Sequence, residues 1–343
     1  MPIPCDGPIE SLSIELELLW MIESSVFKKF DTDGYVVVRG LLDVELDIAP
    51  VIREYSAVLD RLAGQWLAEG RLRSTYDHLP FCERLLKIVI EAEPAYDQHF
   101  DISLPQADIT DETPIHNGPA VFNLLRSPRL LDAVEQFVGP EIYSNPVQHT
   151  RIKLPEHLLP EPSRTGLTAQ VAWHQDLGVV TDDADNTEML TVWLPITRST
   201  VENGCMAVVP GSHHDGLALH CRSPNPLTFN QVCIPENRLS EKNVPLPMDP
   251  GDVLFMHRQT QHSGLVNHSN EIRWSFDLRY QPIGQATGRR WFPGFVARSQ
   301  SNPASEQVSS EAWAESWRQT RHELARSEDV AFNRWKHGDP RCA

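Results

Sequence analysis

Between residues 44 and 70 apolar side chains recur every three or four positions, and Val51, Tyr55, Val58, Leu59, Leu62 and Trp66 share one face. That period predicts a long amphipathic helix. Residues 9 to 30 repeat the spacing with acidic positions between, and residues 31 to 42 read as a strand. Ser127 to Val138 predicts another helix, with Ser127 as N-cap, Pro128 at the first helical position and Gly139-Pro140 as its stop. From about 141 to 283 the pattern changes to short apolar runs and alternation in period two, which is the signature of strands. Asn203-Gly204 between two apolar runs predicts a hairpin. Residues 304 to 337 return to helical spacing, with Trp313 and Trp317 four apart on one side. Residues 71 to 120 and 214 to 250 are poorly periodic and read as loops, the segments expected to cover a pocket.

The elements bracket a β-rich centre with helices, so the expected class is mainly β with helical flanks, α+β. Nothing resembles a linker, which favours one domain over residues 1 to 343. Its expected parts are a mainly helical 1–140 with the strand at 31–42, a core at 141–285 and a helical extension at 286–343. Composition narrows the partners. The chain has 343 residues, 41% of them hydrophobic, and a net charge of −17. Nucleic acid and anionic membranes are recognised by clustered Lys and Arg, so neither is expected. No run approaches the roughly 18 apolar residues of a membrane span. Six scattered cysteines without a C-x-x-C pair, and no basic leader followed by an apolar stretch, predict free thiols in a soluble cytoplasmic protein.

Candidate chemistry centres on Trp173-His174-Gln175-Asp176. Side chains two apart on an extended segment point to one face, so His174 and Asp176 can grip one ion together. A third ligand is then needed. Gly251-Asp252 opens an apolar strand that runs to His257 and on to His262; these two face opposite sides of an extended chain, so one of them reaches the metal. Two imidazoles and a carboxylate form the facial triad of non-haem ferrous sites. Eleven positions after His262 comes Arg273, on a strand whose alternation places Ser275 on the same face. A guanidinium and a hydroxyl so placed hold a carboxylate. His213 and His214 follow a Pro-Gly-Ser turn and read as turn residues, and the remaining histidines show no ligand spacing.

At these residues the chain resembles the phytanoyl-CoA dioxygenase family of iron(II)- and 2-oxoglutarate-dependent oxygenases. The resemblance runs through Phe30–Val38, Trp173–Asp176, Val192-Trp193-Leu194-Pro195, Glu202–His213 and Gly251–Tyr280, about residues 30 to 285. It implies a double-stranded β-helix, or jelly roll, carrying Fe(II), 2-oxoglutarate and O2 at its mouth. It selects His262 as the third metal ligand beside His174 and Asp176. It implies Arg273 and Ser275 on the far carboxylate of 2-oxoglutarate, Trp193 against the same co-substrate, and a co-substrate role for the strand that here bears His149. Asp176 also fills the position that halogenases of the superfamily open for chloride, which favours hydroxylation.

The resemblance thus implies oxidative decarboxylation of 2-oxoglutarate to succinate and CO2, coupled to hydroxylation of an unactivated C–H bond. Desaturation, cyclisation or rearrangement are alternatives within the same chemistry. A metal-binding jelly roll without redox chemistry, or a metal-dependent hydrolase, is the alternative of another class. An acyl-CoA substrate would bring several phosphates, yet basic residues cluster only at Arg71-Leu72-Arg73 and Arg289-Arg290. A small metabolite or natural-product intermediate is therefore the expected substrate. Arg289–Phe295 could meet an anionic or aromatic substrate or pack the C-terminal helix onto the core. That Trp-bearing helix makes a homo-oligomer possible.

Overall fold

Along the strand Arg273–Pro282 the side chains divide by parity. Trp274, Phe276, Leu278 and Tyr280 join the main apolar core, whereas Arg273, Ser275, Asp277, Arg279 and Gln281 are polar yet buried. One face therefore packs on helices and the other lines an interior. The structure, a computed structural model, describes residues 24–92, 96–158, 170–223, 231–240, 242–327, 330–335 and 339–342.

The strands in chain order are β1 (Tyr35–Val38), β2 (Glu141–Lys153), β3 (Val171–His174), β4 (Leu190–Pro195), β5 (Met206–Val208) and β6 (Cys221–Arg222). They continue with β7 (Val232–Cys233), β8 (Val244–Leu246), β9 (Val253–His257), β10 (His262–Gly264), β11 (Arg273–Pro282) and β12 (Phe295–Ser299). Among the described residues a six-stranded antiparallel sheet runs β1-β9-β4-β11-β2-β12 and a four-stranded one runs β3-β10-β5-β8. Their inner faces meet: Tyr35, Trp193, Leu254 and Met256 of the large sheet cluster with Met206, Val208 and Leu246 of the small one. This is the expected jelly-roll architecture.

The outer face of the large sheet is covered by helices. Ala49–Ala68 buries all six of its predicted face residues, and Tyr55 anchors it: the ring centroid lies 4.8 Å from that of Trp274, and the hydroxyl donates to Phe100 O at 2.9 Å. Burying each such aromatic is worth roughly 1.5–3 kcal/mol. Pro128–Val138 forms as predicted and ends at Gly139, whose φ of 81° needs glycine, although the Ser127 hydroxyl accepts no helix N–H.

Several expectations change. Residues 71 to 120 contain the helix Phe81–Ala92 and the single turn Asp97–Phe100, and a further helix, Pro119–Leu125, starts at their end, because their apolar side chains find the core. Asn203-Gly204 turns the chain from β4 to β5, which belong to different sheets, so it makes a corner and not a hairpin. Among the described residues the predicted C-terminal helix runs over Ser310–Leu324. Its tryptophans pack inside the chain, Trp313 against Phe122 (5.6 Å between centroids) and Trp317 against Phe292 (5.3 Å), and so offer no dimer face. The extension after 285 also adds β12 to the large sheet. Cys221 and Cys342 form a disulfide, correcting the expectation of free thiols throughout; Cys82, Cys205 and Cys233 are free. Cys5 and positions 9 to 23 of the first predicted helix lie outside the described residues, and Ser24–Asp33 is helical. No described helix is long and apolar enough to cross a membrane.

Candidate metal and co-substrate site

β3 ends in His174 and pairs antiparallel with β10, which begins at His262, so that His174 and His262 are direct cross-strand partners. Gln175 is extended (φ −117°, ψ 142°), which carries Asp176 to the same side as His174. The three side chains are buried, and one ligand atom from each lies within 4.8 Å of the others. His174 Nε2 is 3.7 Å and His262 Nε2 3.9 Å from Asp176 Oδ1. His174 Nδ1 donates to Ala172 O at 2.8 Å and His262 Nδ1 to Thr260 O at 2.9 Å. With that nitrogen protonated, each Nε2 presents a lone pair to the common point. Burial, with His262 beside it, pushes the His174 imidazole down to about 3, so it is neutral and free to coordinate.

Asp176 is gripped from behind. Thr191 Oγ1 donates to its Oδ2 and Arg279 Nη2 to its Oδ1. Burial alone would raise this carboxyl, but Arg279 and the two imidazoles hold it well below the usual range. Arg279 is not among the site residues expected from the sequence. Its odd parity with Arg273 on one strand was the available signal, since both then face the interior. His220 was assigned no ligand role, and the structure gives it a supporting one: Nε2 accepts from the Gln175 N–H at 2.9 Å, between the two ligands, and Nδ1 donates to Ala218 O. Gln175 itself is buried, its amide donating to Gly216 O and Gln259 O. His257 points elsewhere. Its ring lies 5.2 Å from His213, with Nδ1 accepting from the Gln259 N–H.

A second cluster adjoins the first. Arg273 is fully buried; it donates through Nη1 to Ser275 Oγ and through Nε to Gly204 O at 3.2 Å, and sits 5.6 Å over the Trp193 ring. Lys153, also buried and unforeseen, donates to Gly264 O at 3.0 Å and to Leu265 O. A β-carbon on Gly264 would lie 3.3 Å from Lys153 Nζ and 3.7 Å from Arg273 Nη2, so glycine two residues after His262 keeps a cradle open. Burial, with Arg151 nearby, brings Arg273 down to about 9, and burial brings Lys153 well below its ordinary value. Trp193 Nε1 is buried without a partner among the described residues. Two buried cations and an orphan donor fit a small dianion such as 2-oxoglutarate. His149 stands apart from Arg273: its Nδ1 is 2.8 Å from Asp101 Oδ2, and the ring lines the cavity that reaches His174.

A profile of the family described as Phytanoyl-CoA dioxygenase (PhyH) matches residues 30–275. A phytanoyl-CoA dioxygenase of Arabidopsis thaliana is 30% identical over 128 residues, 37% of this chain and 42% of that protein. The chain thus aligns with less than half of that relative. A 1-deoxypentalenic acid 11-beta-hydroxylase of Streptomyces arenae is 26% identical over 266 residues, 76% of this chain and 81% of the relative. Among solved structures, the apo form of a non-heme monooxygenase, ThoJ, superposes with a TM-score of 0.50 at 19% identity, covering 87% of this chain and 97% of that one.

Proposed function

We propose that the chain, which belongs to the phytanoyl-CoA dioxygenase family of iron(II)- and 2-oxoglutarate-dependent oxygenases, hydroxylates an unactivated C–H bond of a small organic metabolite. His174 Nε2, His262 Nε2 and Asp176 would hold the ferrous ion, which would bind 2-oxoglutarate and O2 for the oxidation. Arg273 and Ser275 bind the distal carboxylate, Lys153 adds a second cation, and Trp193 forms one wall of the pocket. His149, held by Asp101 in the wall of the cavity beside His174, faces the substrate side of the site and not the carboxylate cradle of Arg273. Once bound, iron and 2-oxoglutarate supply the oxidative decarboxylation that yields succinate, CO2 and the oxidant for the substrate.

The residues of the chain do the rest. The Ala172 and Thr260 carbonyls fix both imidazole tautomers, and Arg279 keeps Asp176 ionised. The observation that carries the reading is the convergence of two oriented Nε2 atoms and a carboxylate beside a buried cation pair. Asp176 fills the third ligand position, which supports hydroxylation over halogenation. The relative named for 11β-hydroxylation supports a natural-product intermediate as substrate. Anaerobic addition of Fe(II) and 2-oxoglutarate is expected to produce the weak visible charge-transfer band of the chelate, and air is expected to release succinate. Absence of the band, together with an unchanged His174→Ala variant, would overturn this function.

A further inference from the structure

A cavity of about 620 Å3 opens beside His174, and its lining divides by chemistry. Leu104, Pro105, Val147, Val171, Val179 and Val232 give it an apolar wall. Arg151, Arg222, Arg279 and Arg289 give it cationic points. Arg279 is bonded to Asp176, and Arg151 lies 3.4 Å from Asp277. Arg289 is different. It is only 2% exposed, and no carboxylate among the described residues pairs with it. Its Nη2 donates to Val179 O at 2.8 Å, its Nε is buried without a partner, and its guanidinium lies 5.7 and 5.6 Å over the rings of Phe292 and Phe332.

A buried charge is normally paired, because an unpaired one forfeits hydration without compensation. Burial, with Arg279 close by, lowers Arg289 to about 9, which leaves it cationic at neutral pH. The Phe292 and Phe332 rings lie over the guanidinium, and a planar fork with unused N–H groups matches a carboxylate in two-pronged fashion. The neighbouring walls offer mainly hydrocarbon.

We propose that Arg289 is a substrate-anchoring residue: it binds a carboxylate of the substrate, so that the enzyme oxidises an organic acid whose apolar body fills the valine- and leucine-lined cavity beside His174. The inference deepens the function proposed above and rests on the iron site being His174, Asp176 and His262. Arg289 sets which carbon is presented, because the acid group is held at one fixed point of the cavity while the skeleton lies along the rest. Specificity of this kind is strong, since a substrate lacking the acid leaves a buried cation unanswered.

The test uses the holoenzyme with Fe(II) and 2-oxoglutarate under anaerobic conditions, with cyclohexanecarboxylic, decalin-2-carboxylic and decanoic acids, their methyl esters and inorganic phosphate as probes. Binding is read by calorimetry and by perturbation of the visible band. At least one acid is expected to bind ten times more tightly than its own ester. Arg289→Gln should abolish that preference and Arg289→Lys should keep part of it, while both variants retain the band and wild-type affinity for 2-oxoglutarate. The proposal is overturned if no acid is preferred to its ester, if the preference survives in Arg289→Gln, or if phosphate binds better than every acid. It is also overturned if Arg289→Gln loses 2-oxoglutarate in parallel, which would place this arginine in the co-substrate site. A wild-type protein without the band overturns the iron reading itself, an outcome separate from all of these.

Discussion

Arg279 Nη2 donates to Asp176 Oδ1, the same oxygen that lies 3.7 Å from His174 Nε2 and 3.9 Å from His262 Nε2. A cation from the far end of β11 thus balances the carboxylate of the proposed metal site. Arg279 in turn donates to Val147 O at 2.6 Å, so its position is set by β2 and not by the metal site alone.

Replacing Arg279 with Gln leaves Asp176 as a buried carboxylate without its nearest cation. Metal-free protein is expected to lose about 3–5 kcal/mol of stability, the usual effect of breaking a buried pair. Bound Mn(II), standing in for iron, should recover part of that loss by supplying the missing positive charge. Urea denaturation with and without Mn(II) measures both quantities. An equal loss in the two conditions would argue against the role assigned to Arg279.

Arg273→Met removes the charge-assisted donors proposed to hold the distal carboxylate of 2-oxoglutarate. The KM for 2-oxoglutarate should rise about thirty- to hundredfold, equivalent to roughly 2–3 kcal/mol. Lys153→Met should act in the same direction but less, because its ammonium is already shared with two main-chain carbonyls. Steady-state succinate formation at varied 2-oxoglutarate decides the matter. A change in kcat alone would place both residues outside co-substrate binding.

Stability should fall in mild acid through His220. Burial lowers its imidazole from 6.5 to about 4, so between those values the unfolded chain binds the proton that the folded chain refuses. The contribution is complete above pH 6.5 and is lost as pH falls toward 4, by at most about 1.4 kcal/mol per unit. The stability gap between wild type and His220→Gln should therefore shrink by roughly 2 kcal/mol from pH 7.5 to pH 5. A gap that does not depend on pH would show that His220 is not held neutral.

Cys342 ties the chain end to Cys221, the neighbour of His220, and Trp335 stacks on the His220 ring with centroids 5.5 Å apart. A non-reducing peptide map should recover the Cys221 and Cys342 peptides joined. Cys342→Ser should reduce unfolding free energy by about 2–4 kcal/mol, since the link closes a loop of 121 residues. Recovery of the two peptides unlinked would contradict the pairing.

Much of the centre was legible in the sequence because it depends on local spacing. His174 and Asp176 share a face for the same reason that Arg273 and Ser275 do: strand side chains alternate. Helices were harder wherever the apolar face became apparent only against its neighbours, as in Phe81–Ala92. The Asn203-Gly204 turn has hairpin chemistry, yet its flanking strands pair with β11 and β10, partners far away in the chain.

By itself, then, the sequence determined the His174–Asp176 segment with both side chains on one face, the strand carrying Arg273, and the alternation that makes a two-sided sheet. Tertiary structure alone decided that His262 stands opposite His174, that Lys153 joins Arg273, and that Arg279 answers Asp176. The reason is physical. Periodicity fixes which way a side chain points, but a buried charge chooses its partner across strands separated by a hundred residues, where only packing and desolvation determine who is near.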